Sequence, residues 1–542
     1  MNTQHNSRLI ILFFFFVSLY SLIVLNLYVV QIKRADFFKN LAQRQYTMTV
    51  TTTPARAEIF DRSGIQPLAI NKESLSAFII PSKLENSEEL LKFLSKHFKS
   101  AAERLNKSKR GHFMYIKRRL TPKEITLIEK SGLTDIKILK EPSRYYPIQS
   151  AGPIVGITDI DNQGLFGIER MYNSTLAGKS STNLLEKDTR NFYFKRETKI
   201  EGSQGSPVTL TIDSILQFLV HEELKEYIDL IGSKEGSVLI LNPDDGDILV
   251  MANYPDFNPN ESEQLDSALT KNRIITDAYE LGSVIKAFLA LAAFEEKVVK
   301  PTDLIDCENT KHTRLHGIPI KTVKAGGVMS FSDVIRESNN IGVAKVAQRV
   351  GTKLYDHYRN LGFGKRIGIF PGENGGLITP PGRWSKMSLI SLSFGYEISS
   401  NILQLGQALS VVANNGCLIK PRLLKTDEPV AKEGPYFKPE AINQIKEVLR
   451  KTIDEGAAQK ARIEGYNVMG KTGTARLITN GRYEANRNIY TFMAIVEKNS
   501  YRRIVVIFIK ETSKKKGMLA SAIAVPLFER VAHKMLIHDK II

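Results

Sequence analysis

The chain reads as an α/β (α+β) layered domain, a five-stranded sheet flanked by helices, preceded by an elongated strand-containing module and one transmembrane helix. Three observations predict this. Apolar runs of strand length fall in two groups, Ser237–Leu241 and Ile248–Met251 early, then 466–478, 489–497 and 503–510 late. The sequence between the groups is mostly helical in pattern, so helices would cover the sheet. Residues Leu9–Val30 carry no charged side chain over 22 positions, and about 20 apolar residues span a bilayer.

The amino-terminal run predicts an uncleaved anchor. A signal peptide has a shorter apolar core of about 7–15 residues and a small-residue cleavage site. Here the run continues into Gln31, Ile32, Lys33 and Arg34. No second run of this kind follows, so a single-pass protein is expected. Flanking charge does not set the orientation, because Arg8 lies on one side and Lys33, Arg34 and Lys39 on the other, and long translocated domains escape the positive-inside rule.

Residues 35–205 read as an irregular, strand-containing module. Thr47–Thr53 is rich in β-branched residues and predicts a strand. Residues 87–105 and 121–131 predict amphipathic helices, and the polar stretch 179–206 a linker. From residue 206 the texture changes. Val208–Ile212 predicts a strand, and Asp213 an N-cap for a helix to about Leu230. Pro243, Asp244, Asp245 and Gly246 have hairpin-turn chemistry between the two early strands. A last helix is expected over about 519–537.

The composition is that of a globular protein, 42% hydrophobic and 24% charged. Two cysteines, Cys307 and Cys417, exclude a disulfide-dense scaffold and a zinc-ribbon array; sequence does not say whether they pair. Cys307, His312 and His316 are metal ligands by type, but their irregular spacing favours a surface loop, and no metal or cofactor is expected. The net charge of +18 invites nucleic acid, an anionic membrane surface or an acidic substrate. Residues 96–140 hold thirteen Lys or Arg against four acids. Half of the excess therefore sits between the anchor and the sheet domain, a solvated basic face that argues for anionic lipid headgroups or a partner and against nucleic acid.

The chemistry concentrates in three motifs. From Val284 to Phe294 every residue is apolar except Lys286. A helix apolar all round is buried, and burial disfavours the lysine's charge, leaving an amine able to accept a proton near neutral pH. Ser283 stands one helical turn away on the same face, so the pair reads as a nucleophile with its base. A second S-x-x-K, Ser513–Lys516, lies in a charged stretch without desolvation. Ser338, Asn339 and Asn340 form an S-x-N before an apolar helical pattern; Ser338 could relay a proton and Asn340 bind a substrate carbonyl, whereas Ser338 alone would read as an N-cap. S-x-N recurs at Ser181–Asn183 and Ser399–Asn401.

The third motif is Lys471, Thr472 and Gly473, followed by Thr474, in an expected edge strand. A glycine there admits a substrate backbone, and a lysine with two hydroxyls would hold a carboxylate. Gly465, Gly470, Lys471 and Thr472 also formally match a phosphate loop, but such a loop opens a helix, and Leu477–Gly481 reads as a hairpin. S-x-x-K, S-x-N and K-T-G in this order form the set of penicillin-binding proteins and class A β-lactamases.

With these motifs the chain resembles the class B penicillin-binding proteins, and among them the division-specific peptidoglycan D,D-transpeptidases of type 3. Ala55–Gly64, Arg144–Pro147 and Gly164–Glu169 resemble the family's pedestal signatures. Leu241–Gly246, Asn258–Asn260, Ser393–Tyr396 and Gln404–Ala408 resemble stretches of its transpeptidase domain. The resemblance implies an anchor over 1–34, a pedestal (dimerisation or interaction) domain over 35–205 and a transpeptidase domain over 206–542. It implies Ser283, Lys286 and Ser338 as catalytic residues, and Asn340, Lys471, Thr472, Gly473 and Thr474 as substrate-binding ones. Ser283 would be acylated by D-Ala–D-Ala stem peptides or by β-lactams, with the N–H groups of Ser283 and Thr474 as oxyanion hole.

The implied partners are nascent glycan derived from lipid II, a membrane glycosyltransferase of the shape–division family, other division proteins and the bilayer. The implied place is the bacterial inner membrane, with the catalytic domain outside the cytoplasm. An elongation-specific transpeptidase, a serine β-lactamase or carboxypeptidase, and a silent β-lactam receptor on the same fold are the alternatives. Ala57 and Leu281 replace the family's usual glycine and proline. Glu397 replaces a usual glycine and, with Asn401, faintly resembles the deacylating glutamate of β-lactamases, although its flanks match the transpeptidases.

Overall fold

The computed structural model describes residues 3–107, 113–187, 193–261, 266–479, 482–512 and 518–540. The chain divides into two compact units, Met1–Arg56 with Ala177–Ser206, and Ala57–Leu176 with Pro207–Ile542.

In the first unit, helix α1 (Thr3–Tyr28) runs into a π-helical turn, Val29–Lys33. At about 1.5 Å per residue α1 exceeds the hydrocarbon thickness of a bilayer. Its apolar side chains are exposed along their whole length. Among the described residues, Asn6–Lys33 is the one helical run long and apolar enough to cross a membrane. The strand expected at Thr47–Thr53 forms over Thr47–Thr52. The stretch read as a linker is instead a strand pair, Ser181–Lys187 and Tyr193–Ile200, in a three-stranded antiparallel sheet with Thr47–Thr52. Polar side chains hid it: a strand is held by backbone pairing and needs no apolar stripe.

The second unit is built on a five-stranded antiparallel sheet of β1 (Ser233–Leu241), β2 (Ile248–Tyr254), β3 (Asn467–Thr479), β4 (Arg482–Lys498) and β5 (Tyr501–Thr512). Its order is β2-β1-β5-β4-β3, two early strands and three late ones as expected. Gly246, with φ +70°, turns the β1–β2 hairpin. Both faces are buried, and successive side chains go to opposite layers. Val238, Ile240, Val505 and Ile507 pack beneath α2 (Ser214–Ile231) and α7 (Val525–His538). Leu239, Leu241, Ile504 and Val506 belong to the other layer, with α3 (Ile285–Glu295), α4 (Asn340–Val350), α5 (Ile402–Ala413) and α6 (Pro439–Asp454). Asp213 caps α2 through a side-chain bond to Leu216 N, as predicted. The expected last helix is interrupted at Ala524, giving Ala520–Ile523 and α7.

Residues 57–176 of this unit are tied to the sheet domain by polar contacts, among them Gln217 Nε2 donating to Ser150 O. Asp61 accepts hydrogen bonds from the Ser63 hydroxyl at 2.5 Å and from the Ser214 hydroxyl, at the start of α2, at 2.7 Å. Arg144 and Glu169, from two of the family signatures, form an ion pair at 2.6 Å with side chains 1% and 0% exposed. The amphipathic pattern of 87–105 yields two helices, Ser87–His97 and Lys99–Lys107, broken at the buried Phe98. Pro122–Ser131 is a helix with a capping box between Thr121 and Glu124.

Candidate active site

Ser283 lies in a 3-10 turn, Gly282–Val284, that leads directly into α3. Two glycines let neighbouring backbone close on this turn. Gly282 has φ +56°, and a Cβ there would stand 2.8 Å from Thr474 O; a Cβ on Gly395 would stand 2.1 Å from Gly282 O. The contact is locked by a hydrogen bond from Gly282 N to Gly395 O at 3.2 Å. The turn is thereby held between β3 and the 395–397 turn.

One turn into α3, Lys286 is fully buried. Its Nζ is 2.7 Å from Ser338 O, 3.1 Å from Ser338 Oγ and 2.5 Å from Asn340 Oδ1. Its pKa is driven well below the usual lysine value, first by desolvation and then by the nearby positive charge of Lys471. A neutral amine can donate to the two carbonyl oxygens and accept from the Ser338 hydroxyl. The Ser283 hydroxyl is partly exposed, and makes no hydrogen bond among the described residues.

Ser338 is not a helix cap. The cap of α4 is Asn339, whose side chain accepts from Ile341 N and Gly342 N. Ser338 instead adopts a left-handed conformation, φ +57°, which costs a non-glycine residue about 1–3 kcal/mol. That conformation turns both its carbonyl and its hydroxyl onto Lys286. Asn340 is oriented by donating from Nδ2 to Lys321 O at 2.6 Å, while its backbone N–H donates to Thr322 Oγ1 at 3.2 Å. Sequence reasoning missed Lys321 and Thr322, which carry no motif signal.

Lys471 to Thr474 occupy β3, whose one ladder partner is β4. The other edge faces the Ser283 turn: a Cβ on Gly473 would meet Val284 Cγ1 at 2.8 Å and Val284 N at 2.9 Å. Lys471 is 3% exposed, and burial lowers its pKa to about 8. The Thr474 hydroxyl accepts from Ala520 N at 3.0 Å. Because β3 continues as strand to Thr479, the Gly465–Thr472 match opens no helix and is not a phosphate loop.

All eight sequence-predicted site residues meet at one cleft of about 830 Å³; seven line its wall and Lys286 lies behind Ser338 and Asn340. Ser513–Lys516 lies outside the described residues. Glu397 is absent from the described lining of the cleft, and Asn401 is the N-cap of α5. Cys307 and Cys417 are free thiols. Cys307 is buried whereas His312 and His316 are exposed.

A sheet domain with a buried lysine one helical turn from a serine, and Lys471–Thr474 on the edge strand beside them, defines a serine acyltransferase of the penicillin-recognising class. Residues 236–532 match the penicillin binding protein transpeptidase domain, and 51–210 the penicillin-binding protein dimerisation domain. The chain belongs to the class B penicillin-binding proteins, a family of serine-type peptidoglycan D,D-transpeptidases. It is 29% identical over 520 residues to the probable peptidoglycan D,D-transpeptidase PenA of Neisseria meningitidis, covering 92% of this chain and 86% of that one. It is 28% identical over 490 residues to the peptidoglycan D,D-transpeptidase FtsI of Escherichia coli, covering 88% and 82%. Among solved structures, penicillin binding protein 3 from Mycobacterium tuberculosis shares the fold, with a TM-score of 0.69 and 23% identity over 91% of this chain and 98% of that one.

Proposed function

We propose that the protein is a membrane-anchored D,D-transpeptidase that cross-links peptidoglycan stem peptides during septal wall synthesis through an acyl-enzyme on Ser283. The observation that carries this reading is the fully buried Lys286 amine, bonded to Ser338 and Asn340 one helical turn from Ser283.

Ser283 Oγ attacks the carbonyl carbon between two D-Ala residues, and its proton passes to the neutral Lys286 amine. The oxyanion is held by the N–H groups of Ser283 and Thr474. In a strand a residue's N–H and C=O point the same way, and Thr474 O faces Gly282, so its N–H also serves the free edge. Such a donor contributes about 3–4 kcal/mol. As the C–N bond breaks, the proton returns from Lys286 through the Ser338 hydroxyl to the departing D-Ala amine. An amine of a second stem peptide then attacks the ester, loses its proton along the same path, and the Ser283 hydroxyl is restored.

The substrate carboxylate pairs with Lys471, Thr472 and Thr474, and its peptide lies along β3 beside Gly473 as an added strand. Asn340 binds a substrate carbonyl. β-Lactams acylate Ser283 by the same route.

The domain scheme proposed is an anchor over 1–34, a pedestal over 35–205 and a transpeptidase domain over 206–542. α1 holds the protein in the inner membrane, with the catalytic domain outside the cytoplasm. The anchor and pedestal contact a glycosyltransferase of the shape–division family and other division proteins. The likeness to the E. coli relative named FtsI supports the septal reading.

Labelling of the wild type by fluorescent penicillin, lost in Ser283→Ala, tests the acyl-enzyme. Absence of labelling in the wild type contradicts it, and rapid release of the label favours a hydrolase. Cross-linking of lipid II polymer in the presence of the glycosyltransferase tests transpeptidation. Filamentation on depletion supports a septal role; rounding contradicts it.

A further inference from the structure

Three residues before Ser283, the short strand Tyr279–Glu280 pairs with Ile398–Ser400. The Glu280 side chain is not among those lining the cleft. Its Oε1 accepts from Glu397 N at 3.1 Å and from the Tyr483 hydroxyl at 3.2 Å. One oxygen atom thus joins three separate segments. They are the strand leading to the nucleophile, the 395–397 turn that grips Gly282, and the start of β4, the ladder partner of β3. The Tyr396 and Tyr483 rings meet edge to face, 5.3 Å apart at 89°, and Tyr396 lines the cleft.

Two costs accompany this arrangement. Glu397 is held at φ +59°, a conformation that a residue other than glycine adopts at about 1–3 kcal/mol. Glu280 Oε2 is buried and has no hydrogen-bond partner among the described residues. A glutamate free to rotate would expose Oε2 to water, and an unbonded turn would let residue 397 relax its backbone. Their persistence points to a clamp that the cleft depends on.

We infer that Glu280 is a positioning residue for the acylation reaction, fixing the Ser283 turn against β3 through its bonds to Glu397 and Tyr483. Its pKa is raised, chiefly by desolvation, while Glu397 N and the Tyr483 hydroxyl act in the opposite direction and the Glu397 carboxylate adds to the rise. The protonated acid retains Oε1 as an acceptor, so the clamp does not require the charge.

The inference rests on Ser283 being the acylated serine. Full-length protein in detergent is followed by stopped-flow acylation with a fluorescent penicillin, resolving the acylation rate constant from the non-covalent dissociation constant. Glu280→Ala is expected to lower the rate constant about 10–100-fold, the scale of a small misplacement of reacting groups, with the dissociation constant changed less than about threefold. Glu280→Gln, which keeps the accepting oxygen, is expected to restore acylation to within about threefold of wild type.

Wild-type acylation in Glu280→Ala, or a Glu280→Gln as slow as Glu280→Ala, overturns the inference. If Glu280→Ala fails to fold, Tyr483→Phe decides the matter by removing one donor: a slowed rate constant supports the clamp and an unchanged one overturns it. A wild type that is never labelled would instead defeat the acyl-enzyme reading itself.

Discussion

The Lys286 amine nitrogen stands 2.5 Å from Asn340 Oδ1, although α3 and α4 place the two residues 54 positions apart. The bond ties the fully buried lysine to the S-x-N motif. Bulk water cannot solvate a charge there, so burial disfavours the charged amine and lowers its pKa, while Ser338 and Asn340 fix its position.

The rate of acylation should therefore be bell-shaped in pH. On the acid side, activity falls as Lys286 takes up a proton, its pKa being lowered by desolvation and Lys471. On the alkaline side, activity should fall as Lys471 loses its charge, proposed to bind the carboxylate, near its lowered pKa of about 8. Lys471→Arg, always charged, should remove the alkaline limb even where it slows the reaction. Stopped-flow acylation across about pH 5–10 checks both limbs.

Stability should respond to the same burial. Lys286 has a folded pKa below its unfolded value, so the unfolded chain binds more protons between the two. Stability therefore rises with pH across that window, is complete above the unfolded pKa and is lost as pH falls through the folded one. Lys286→Met should melt higher than wild type at low pH, with the difference shrinking as pH rises. A thermal-shift series reads this.

Ser338→Gly should separate stability from activity. Glycine adopts φ +57° without the penalty of a side chain, which favours the fold by about 1 kcal/mol. Loss of the hydroxyl beside Lys286 should lower acylation about 10²-fold or more. Denaturant melts and penicillin labelling of one preparation give both numbers.

Gly473→Ala should disable the site without touching a reacting group. The added Cβ collides with Val284 N, at 2.9 Å, and so pushes β3 away from the Ser283 turn. A loss of about 10²-fold in acylation is expected, with near-normal melting because β3 is an edge strand.

Glu169→Ala should destabilise the fold. It leaves the buried Arg144 without its 2.6 Å ionic partner, a change that costs about 3–5 kcal/mol. Urea unfolding measures it.

Much of the site was legible because its signals are local. A lone lysine in the apolar run Val284–Phe294 announces a buried amine, and K-T-G after an apolar stretch announces an edge strand. What was hidden depends on partners far along the chain. Whether Ser338 or Asn339 caps α4 is set by the left-handed turn that packs on Lys286, not by residue type. The strands Ser181–Lys187 and Tyr193–Ile200 look like linker because their side chains are polar and the sheet is completed by Thr47–Thr52, far upstream, pairing with Ser181–Lys187. Glu280 carries no motif of its own; its two donors come from residues 117 and 203 positions away.

The mechanism is decided by which atom is acylated. Peptide mass spectrometry after brief exposure of the full-length protein to penicillin measures this directly. A single penicilloyl adduct on Ser283, absent from Ser283→Ala and strongly reduced in Lys286→Ala, is the predicted result. An adduct on another residue, or undiminished acylation of Lys286→Ala, would contradict it.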